Sequence, residues 1–177
     1  MKSLIVAPAW VGDMVMAHSL IQELSVRNSS VAIDVLAPAS TSSLGSRMSE
    51  VRDVYTLDVG HGRLGISERL QMARQLRAQE YDEAYILPNS WKSALIPFFA
   101  GIKRRVGWLG EMRFGLLNDA RSLDKLALPL MVERFAALSV SKNEERFTRP
   151  APHPSLVFDT ENRLRLATKY GLVHTGA

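Results

Sequence analysis

The sequence contains no cysteine, which rules out disulfides and thiolate metal ligands and leaves no cysteine-based sign of an oxidising compartment. Long apolar runs are missing as well. The stretch from Leu4 to Ala7 is broken by Pro8, far short of a secretory h-region. Nothing approaches the roughly 20 apolar residues that a membrane span needs, so the cytoplasm is the expected compartment. No GxGxxG or GxxxxGK[ST] pattern occurs, which withdraws support from dinucleotide-fingerprint and P-loop readings. No HExxH or other ligand spacing points to a metal, and neither repeats nor low-complexity tracts are present.

What is present fits one ordinary domain. The 177 residues suffice for a sound core, and 46% hydrophobic against 23% charged residues mark a globular rather than a disordered chain. The net charge of +4 suits anionic partners such as phosphates, acidic sugars or an anionic membrane surface. It is weaker than a dedicated nucleic-acid module would carry, and no nucleic-acid motif accompanies it. A solvated surface explains the charge equally well.

Hydrophobic periodicity gives alternating strands and helices. Strands are predicted at Lys2 to Ala7, Val31 to Ala37, Val51 to Leu57, Tyr81 to Leu87 and Lys103 to Gly107. Ala17, Leu20, Ile21 and Leu24 mark one face of a helix ending near Arg27. Further helices are expected over Pro38 to Met48, from Ile66 to about Glu80, over Ser90 to Ala100 and over Lys125 to Ser141. Gly110 to Asp124 lacks clean periodicity and reads as a long loop, more often functional than idle in a compact domain. Asn143 to Pro154 reads as a stiff extended segment, followed by a short strand at Leu156 to Phe158 and a last helix over Thr160 to Tyr170. This alternation predicts an α/β fold, a Rossmann-like parallel sheet with helices on both faces. Ligands in such folds sit beyond the carboxyl ends of the strands, which directs attention to the loops that follow them.

Asp13 lies in the first of these turns, Pro8-Ala9-Trp10-Val11-Gly12-Asp13, where Gly12 is expected to let the backbone bend and the helix directs its positive end at the cleft. A carboxylate there suits a general base; equally, Asp is among the best residues for capping the helix. His18, one turn into the helix, reads as a structural or surface histidine rather than a catalytic one. His61, between Gly60 and Gly62 in a loop, is a stronger candidate for function. Lys103, Arg104, Arg105, Arg113 and Arg121 form a local basic excess against Glu111 and Asp119, suited to phosphate or carboxylate recognition or simply to solvation. Trp91, Trp108 and Phe114 have the character of sugar-stacking rings, although aromatic residues more often pack in cores.

The strand-end segments resemble the lipopolysaccharide heptosyltransferases, and among them those that add the second heptose. The matching segments include Ala9-Trp10-Val11-Gly12-Asp13-Met14-Val15-Met16, Gly60-His61-Gly62, Leu87-Pro88-Asn89-Ser90-Trp91-Lys92, Gly107 to Asp119 and Leu130-Met131-Val132-Glu133-Arg134, in colinear order over roughly residues 1 to 140. The tail after about Asn143 matches poorly. The resemblance implies glycosyltransferase family 9 and a GT-B enzyme about twice this length. This chain would be its N-terminal, acceptor-side domain over 1–177, and the donor-binding domain would lie outside it. The implied reaction is an inverting transfer of L-glycero-D-manno-heptose from ADP-heptose to the first heptose of the inner core on Kdo-lipid A, without metal or other cofactor. The family's catalytic aspartate falls on Asp13. Trp10, Gly12, His61, Asn89, Lys92, Arg113 and Arg121 become the expected acceptor-binding residues. The implied partners are the Kdo-lipid A/LPS core acceptor, ADP-heptose through the other domain, and the inner leaflet of the inner membrane, peripherally. A non-catalytic binding module of the same fold, or a truncated gene product, is the alternative.

Overall fold

A computed structural model describes residues 1–59, 64–141 and 150–157. Six parallel strands form one sheet in the order β3-β2-β1-β4-β5-β6. They are β1 (Lys2–Val6), β2 (Ala32–Pro38), β3 (Val51–Leu57), β4 (Glu83–Ile86), β5 (Arg104–Trp108) and β6 (Asp119–Arg121). Strands β1 and β2 lie in the register Ile5↔Val35, and β1 and β4 in the register Ile5↔Tyr85. This is the doubly wound order of the Rossmann fold, with the direction of winding reversing between β1 and β4.

The period-2 alternation of strand side chains divides the core into two layers. Ile5, Ile33, Val35, Tyr85 and Val106 face one side, where they meet Met14, Ala17, Leu20, Ile21 and Leu24 of helix α1 (Val11–Arg27) and Phe135 of α5 (Met131–Ala136). Helix α2 (Ala39–Gly45) packs on the same side, where Leu44 joins the cluster. Leu4, Val6, Leu36, Ala84 and Ile86 face the other side, against Ala73 and Leu76 of α3 (Ile66–Arg77) and Ala94 and Ile96 of α4 (Trp91–Phe99). Because β1, β2 and β4 are covered on both faces, they are buried almost throughout rather than alternating. Among the described residues no helix is long and apolar enough to cross a membrane.

The buried carboxylate of β2 is paired. Asp34 of β2 is fully buried and accepts from Arg52 Nε at 3.0 Å and from the Tyr81 hydroxyl at 2.5 Å. Burial, helped by that carboxylate, pushes the Tyr81 phenol far above its ordinary range. Gly65, at the start of α3, adopts φ +57, and a Cβ there would meet Val59 Cγ1 at 2.6 Å. Only glycine fits this turn without strain.

Three expectations change. The loop expected over Gly110 to Asp124 contains β6, whose three residues pair in parallel with Val106, Gly107 and Trp108 of β5. A strand that reads Asp-Ala-Arg gives no hydrophobic signal; β6 is held by charge instead. The helix expected over Lys125 to Ser141 contracts to α5 plus a 3₁₀ turn at Ala137–Ser139. Pro129 disfavours helical backbone in the residue before it, and Glu133 Oε2 accepts from the Leu130 N–H at 2.9 Å to start the helix there. Leu156 and Val157 belong to no strand; they lie against the α1 side, where Leu156 packs on the core and the Val157 N–H donates to Arg47 O at 2.8 Å. The helix expected over Thr160 to Tyr170 falls outside the described residues.

Candidate functional site

The chain reverses its winding between β1 and β4, so the loops after these two strands open a crevice at the carboxyl edge of the sheet. The first loop is held from the neighbouring element: Thr41 Oγ1 donates to Pro8 O at 3.1 Å and Ser40 Oγ to Ala9 O at 3.3 Å. Trp10 then takes the N-cap position of α1, with its side chain 75% exposed. Asp13 follows as the third residue of the helix, half-buried, in the first turn where the helix dipole favours a negative charge. It is not the cap. Among the described residues its carboxylate takes no hydrogen bond or ion pair, so it stands at the crevice as an unoccupied acceptor.

The expected role of Gly12 as a hinge is not what the structure shows. It is an ordinary helical residue, and a Cβ built there would meet nothing within 4 Å. What it supplies is open space beside Asp13.

The second loop carries Asn89, exposed, and Lys92, half-buried at the start of α4. Beneath them lies Arg113, a guanidinium only 1% exposed. Arg113 Nη1 donates to Pro88 O at 2.7 Å, and Nη2 donates to Trp108 O and, at 3.5 Å, to Asn89 Oδ1. Its Nε is buried without a partner. Burial, only partly offset by Glu111, lowers its pKa. Arg113 thus clamps the ends of β4 and β5 together beneath Asn89. The approach is close enough that a Cβ on Gly110 would lie 2.8 Å from Asn89 O.

Three further arginines of the expected basic cluster are spent inside the fold, whereas Lys103 is exposed. Arg121 donates to Asp119 Oδ1 at 3.1 Å and Oδ2 at 3.0 Å, and to the carbonyls of Ala137 and Leu138. Arg104 bridges Glu83 Oε2 at 2.6 Å and Asp119 Oδ2 at 3.1 Å. Burial pushes the Asp119 carboxyl up, but the hydrogen bonds and charges of Arg121 and Arg104 outweigh it and leave the pKa lowered. Arg105 donates to Leu116 O and Ile102 O and lies over the Phe98 ring. Of the aromatic residues, Trp108 donates its indole N–H to Arg134 O at 3.1 Å, whereas Phe114 projects into solvent.

His18 is fully buried, with Nε2 at 2.8 Å from Glu50 Oε2, and Nδ1 accepts from the Ser155 N–H at 3.1 Å. Both ring nitrogens are engaged, which makes it structural. His61 lies outside the described residues.

One residue escaped the sequence reading. Arg69 of α3 lines a cavity of about 210 Å³ at the crevice together with Ala9, Pro88, Ser90, Lys92 and Ser93. Nothing in the local sequence separates Arg69 from Arg74 and Arg77 on the same helix; only the fold does.

A doubly wound sheet with a crevice at its winding reversal, bordered by an unpaired carboxylate, defines a Rossmann-like unit of the kind from which GT-B glycosyltransferases are built. The profile of glycosyltransferase family 9 (heptosyltransferase) matches residues 69–173, and the chain belongs to that family. It is 53% identical over 156 residues to the lipopolysaccharide heptosyltransferase 2 of Escherichia coli K12, an alignment covering 88% of this chain and 45% of the relative. It is 48% identical over 143 residues to the lipooligosaccharide heptosyltransferase 2 of Haemophilus influenzae, covering 81% and 41%. The solved structure of E. coli ADP-heptose lps heptosyltransferase II superposes with a TM-score of 0.86 at 44% identity, over 98% of this chain and 52% of that one. A family 9 glycosyl transferase from Veillonella parvula shares the fold at a TM-score of 0.81 and 12% identity. The chain spans about half the length of these relatives.

Proposed function

We propose that this chain is the acceptor-side half of an inverting heptosyltransferase, with Asp13 as the general base. The observation that carries this reading is a carboxylate without a partner, placed at the mouth of the sheet's winding reversal in a chain of this family. Asp13 takes the proton from the acceptor hydroxyl as that oxygen attacks the anomeric carbon, and the nucleotide departs from the opposite face. The donor is ADP-heptose, held by a second domain beyond the described residues, and the acceptor is the first heptose of the inner core on Kdo-lipid A. The E. coli relatives are named for ADP-heptose and for lipopolysaccharide, which supports the donor and the class of acceptor.

Trp10 and Asn89, in the loops after β1 and β4, and Lys92, which lines the adjoining cavity, bind the acceptor, with Gly12 leaving it room. Arg113 serves the acceptor from below by fixing the Pro88–Asn89 backbone, and Arg121 by anchoring β6, rather than by direct contact. His61 completes the acceptor set. The protein works in the cytoplasm, peripherally at the inner leaflet of the inner membrane, where its lipid-linked acceptor resides.

The test joins this chain to the donor-side half of the E. coli heptosyltransferase 2 and measures transfer from ADP-heptose. Asp13→Asn lowers turnover at least a hundredfold, in line with typical general-base contributions of about 10²–10⁴, with little change in the acceptor KM. Near-normal turnover would end the base assignment. The 177-residue chain alone forms no product; product from the pure chain would overturn the division into halves.

A further inference from the structure

His18 sits where one proton decides whether a distant segment stays attached. The ring is fully buried in α1, between Glu50 and the strap formed by residues 150–157. Glu50 Oε2 lies 2.8 Å from Nε2, and a carboxylate only accepts, so Nε2 carries the N–H. The Ser155 backbone N–H lies 3.1 Å from Nδ1 and only donates, so Nδ1 must offer its lone pair. Both partners demand the same neutral tautomer. A second proton on the ring takes the lone pair that Ser155 uses and sets N–H against N–H.

The strap has little else to hold it. Pro150, Pro152 and Pro154 have no N–H, which leaves few donors and a stiff extended chain. Besides Ser155, the Val157 N–H donates to Arg47 O at 2.8 Å, and Leu156 packs on the core. Gln22 Nε2 reaches Ser155 Oγ at 3.4 Å, while its Oε1 is buried without a partner. An acceptor left unanswered beside the strap marks a contact that is only partly satisfied.

Glu50 is the charged group set against the ring. Burial pushes its carboxyl up, but hydrogen bonds, first from His18, and the His18 charge leave its pKa lowered. It is therefore ionised in the range where histidines titrate, and it favours the doubly protonated ring while Ser155 favours the neutral one. Charges on the other elements packed around α1 are engaged elsewhere. Glu23 and Arg27, further along α1, pair at 3.7 Å. Glu83 on the sheet face beneath binds Arg104, and Asp34 joins Tyr81 on the opposite face. On α5, Glu133 accepts from the Leu130 N–H, and Arg134 donates to Leu128 O and Pro129 O. Arg47 meets the strap through its carbonyl, and His153 within the strap is exposed.

We infer that His18 is a proton-operated latch: its neutral ring fastens residues 150–157 to α1, and protonation at Nδ1 releases them. The proton and the Ser155 N–H compete for one lone pair, so each weakens the other's binding by the same factor. The latch does not depend on the transfer chemistry assigned to Asp13.

The test follows the ¹⁵N-labelled 177-residue chain by NMR from about pH 8 to about pH 5, a range that brackets an ordinary histidine. It reads the ring nitrogens of His18 together with the backbone amides of Ser155 and Val157. At the upper end Nδ1 shows the signal of an unprotonated nitrogen and the Ser155 amide is protected from exchange. On acidification both amides move and lose protection with the same midpoint as the ring. Ser155→Pro deletes the donor and moves the ring midpoint up by roughly 0.4–1 pH unit, the worth of one net hydrogen bond. His18→Asn puts a carbonyl oxygen at the Nδ1 position and keeps the strap docked down to about pH 5. His153→Gln leaves the release unchanged. The latch is refuted by a protonated Nδ1 at the upper end, by strap amides that do not follow the ring, or by release that persists in His18→Asn. A ring midpoint indifferent to Ser155→Pro refutes it equally. The unaltered chain supplies the first two of these readouts, so they stand even if a variant does not fold.

Discussion

The two ends of the strands treat charge in opposite ways. Near the amino ends, Glu83 is buried and takes Ser3 Oγ at 2.8 Å, the Tyr85 hydroxyl at 3.1 Å and Arg104 Nη1 at 2.6 Å. Asp119 continues the network to Arg121 and so to the 3₁₀ turn. Each ion of that network has a counter-ion and fixed geometry. At the carboxyl ends, among the described residues, Asp13 and Lys92 have no counter-ion and Arg69 meets only carbonyls. The difference teaches that an arginine count does not locate a binding site in this fold. Saturated charge holds strands together, and unsaturated charge marks where a ligand belongs.

The contrast can be broken from either end. The largest expected effect is on chemistry alone: Asp13→Asn in the joined enzyme lowers turnover at least a hundredfold, while the urea midpoint of the chain barely moves, because no bond is lost. A midpoint that falls steeply would mean Asp13 belongs to the saturated class. Next comes Arg113→Met, which strands the Pro88 and Trp108 carbonyls in a buried place. It should cost about 2–4 kcal/mol, each unsatisfied buried group contributing roughly 1–3 kcal/mol, as read by urea unfolding. A change below 0.5 kcal/mol on the same scale would show that the clamp is not structural.

Acid provides a smaller, signed test. The folded pKa of Asp119 is lowered, so the stability it contributes is in place above its unfolded value of about 3.9 and is lost as pH falls through the lowered folded value. Arg121→Met should therefore shrink the loss of stability between about pH 4 and pH 2, the range set by the ordinary Asp value and a downward shift. Identical acid profiles for the two proteins would contradict the pairing. The smallest effect is that of Gly12→Ala. Helix propensity favours Ala by up to about 1 kcal/mol and nothing obstructs the methyl group, so the fold is unchanged or slightly more stable. A loss of acceptor affinity in the same variant would show that the open space beside Asp13 is used.

Much of the framework was legible in the sequence. Five of the six strands and the helices at Ala17–Leu24, Ile66–Leu76 and Ser90–Ala100 follow from apolar spacing, because each buries a face whose period the sequence displays. Strand β6 was not legible, since Asp119 and Arg121 hold it through side-chain ions that no hydrophobic pattern records. At the site, position along the strands pointed to the Asp13 turn and to Asn89–Lys92. The same reasoning could not tell that Arg104 and Arg121 face partners, or that Arg69, twenty-three residues from Lys92, meets it across two helices. Pairing is a property of the folded geometry, and composition is silent about it.

The contact between His18 and Ser155 bears on the order of assembly. It joins positions 137 residues apart, so closing it costs more chain entropy than any contact within the first helix. Helix α1 packs on β1 and β2, but its buried imidazole has one lone pair that only residue 155 answers among the described residues. During synthesis that bond waits until Ser155 has left the ribosome. The strap 150–157 lies against this side of the sheet, and the first helix of the domain is completed by one of its last described residues.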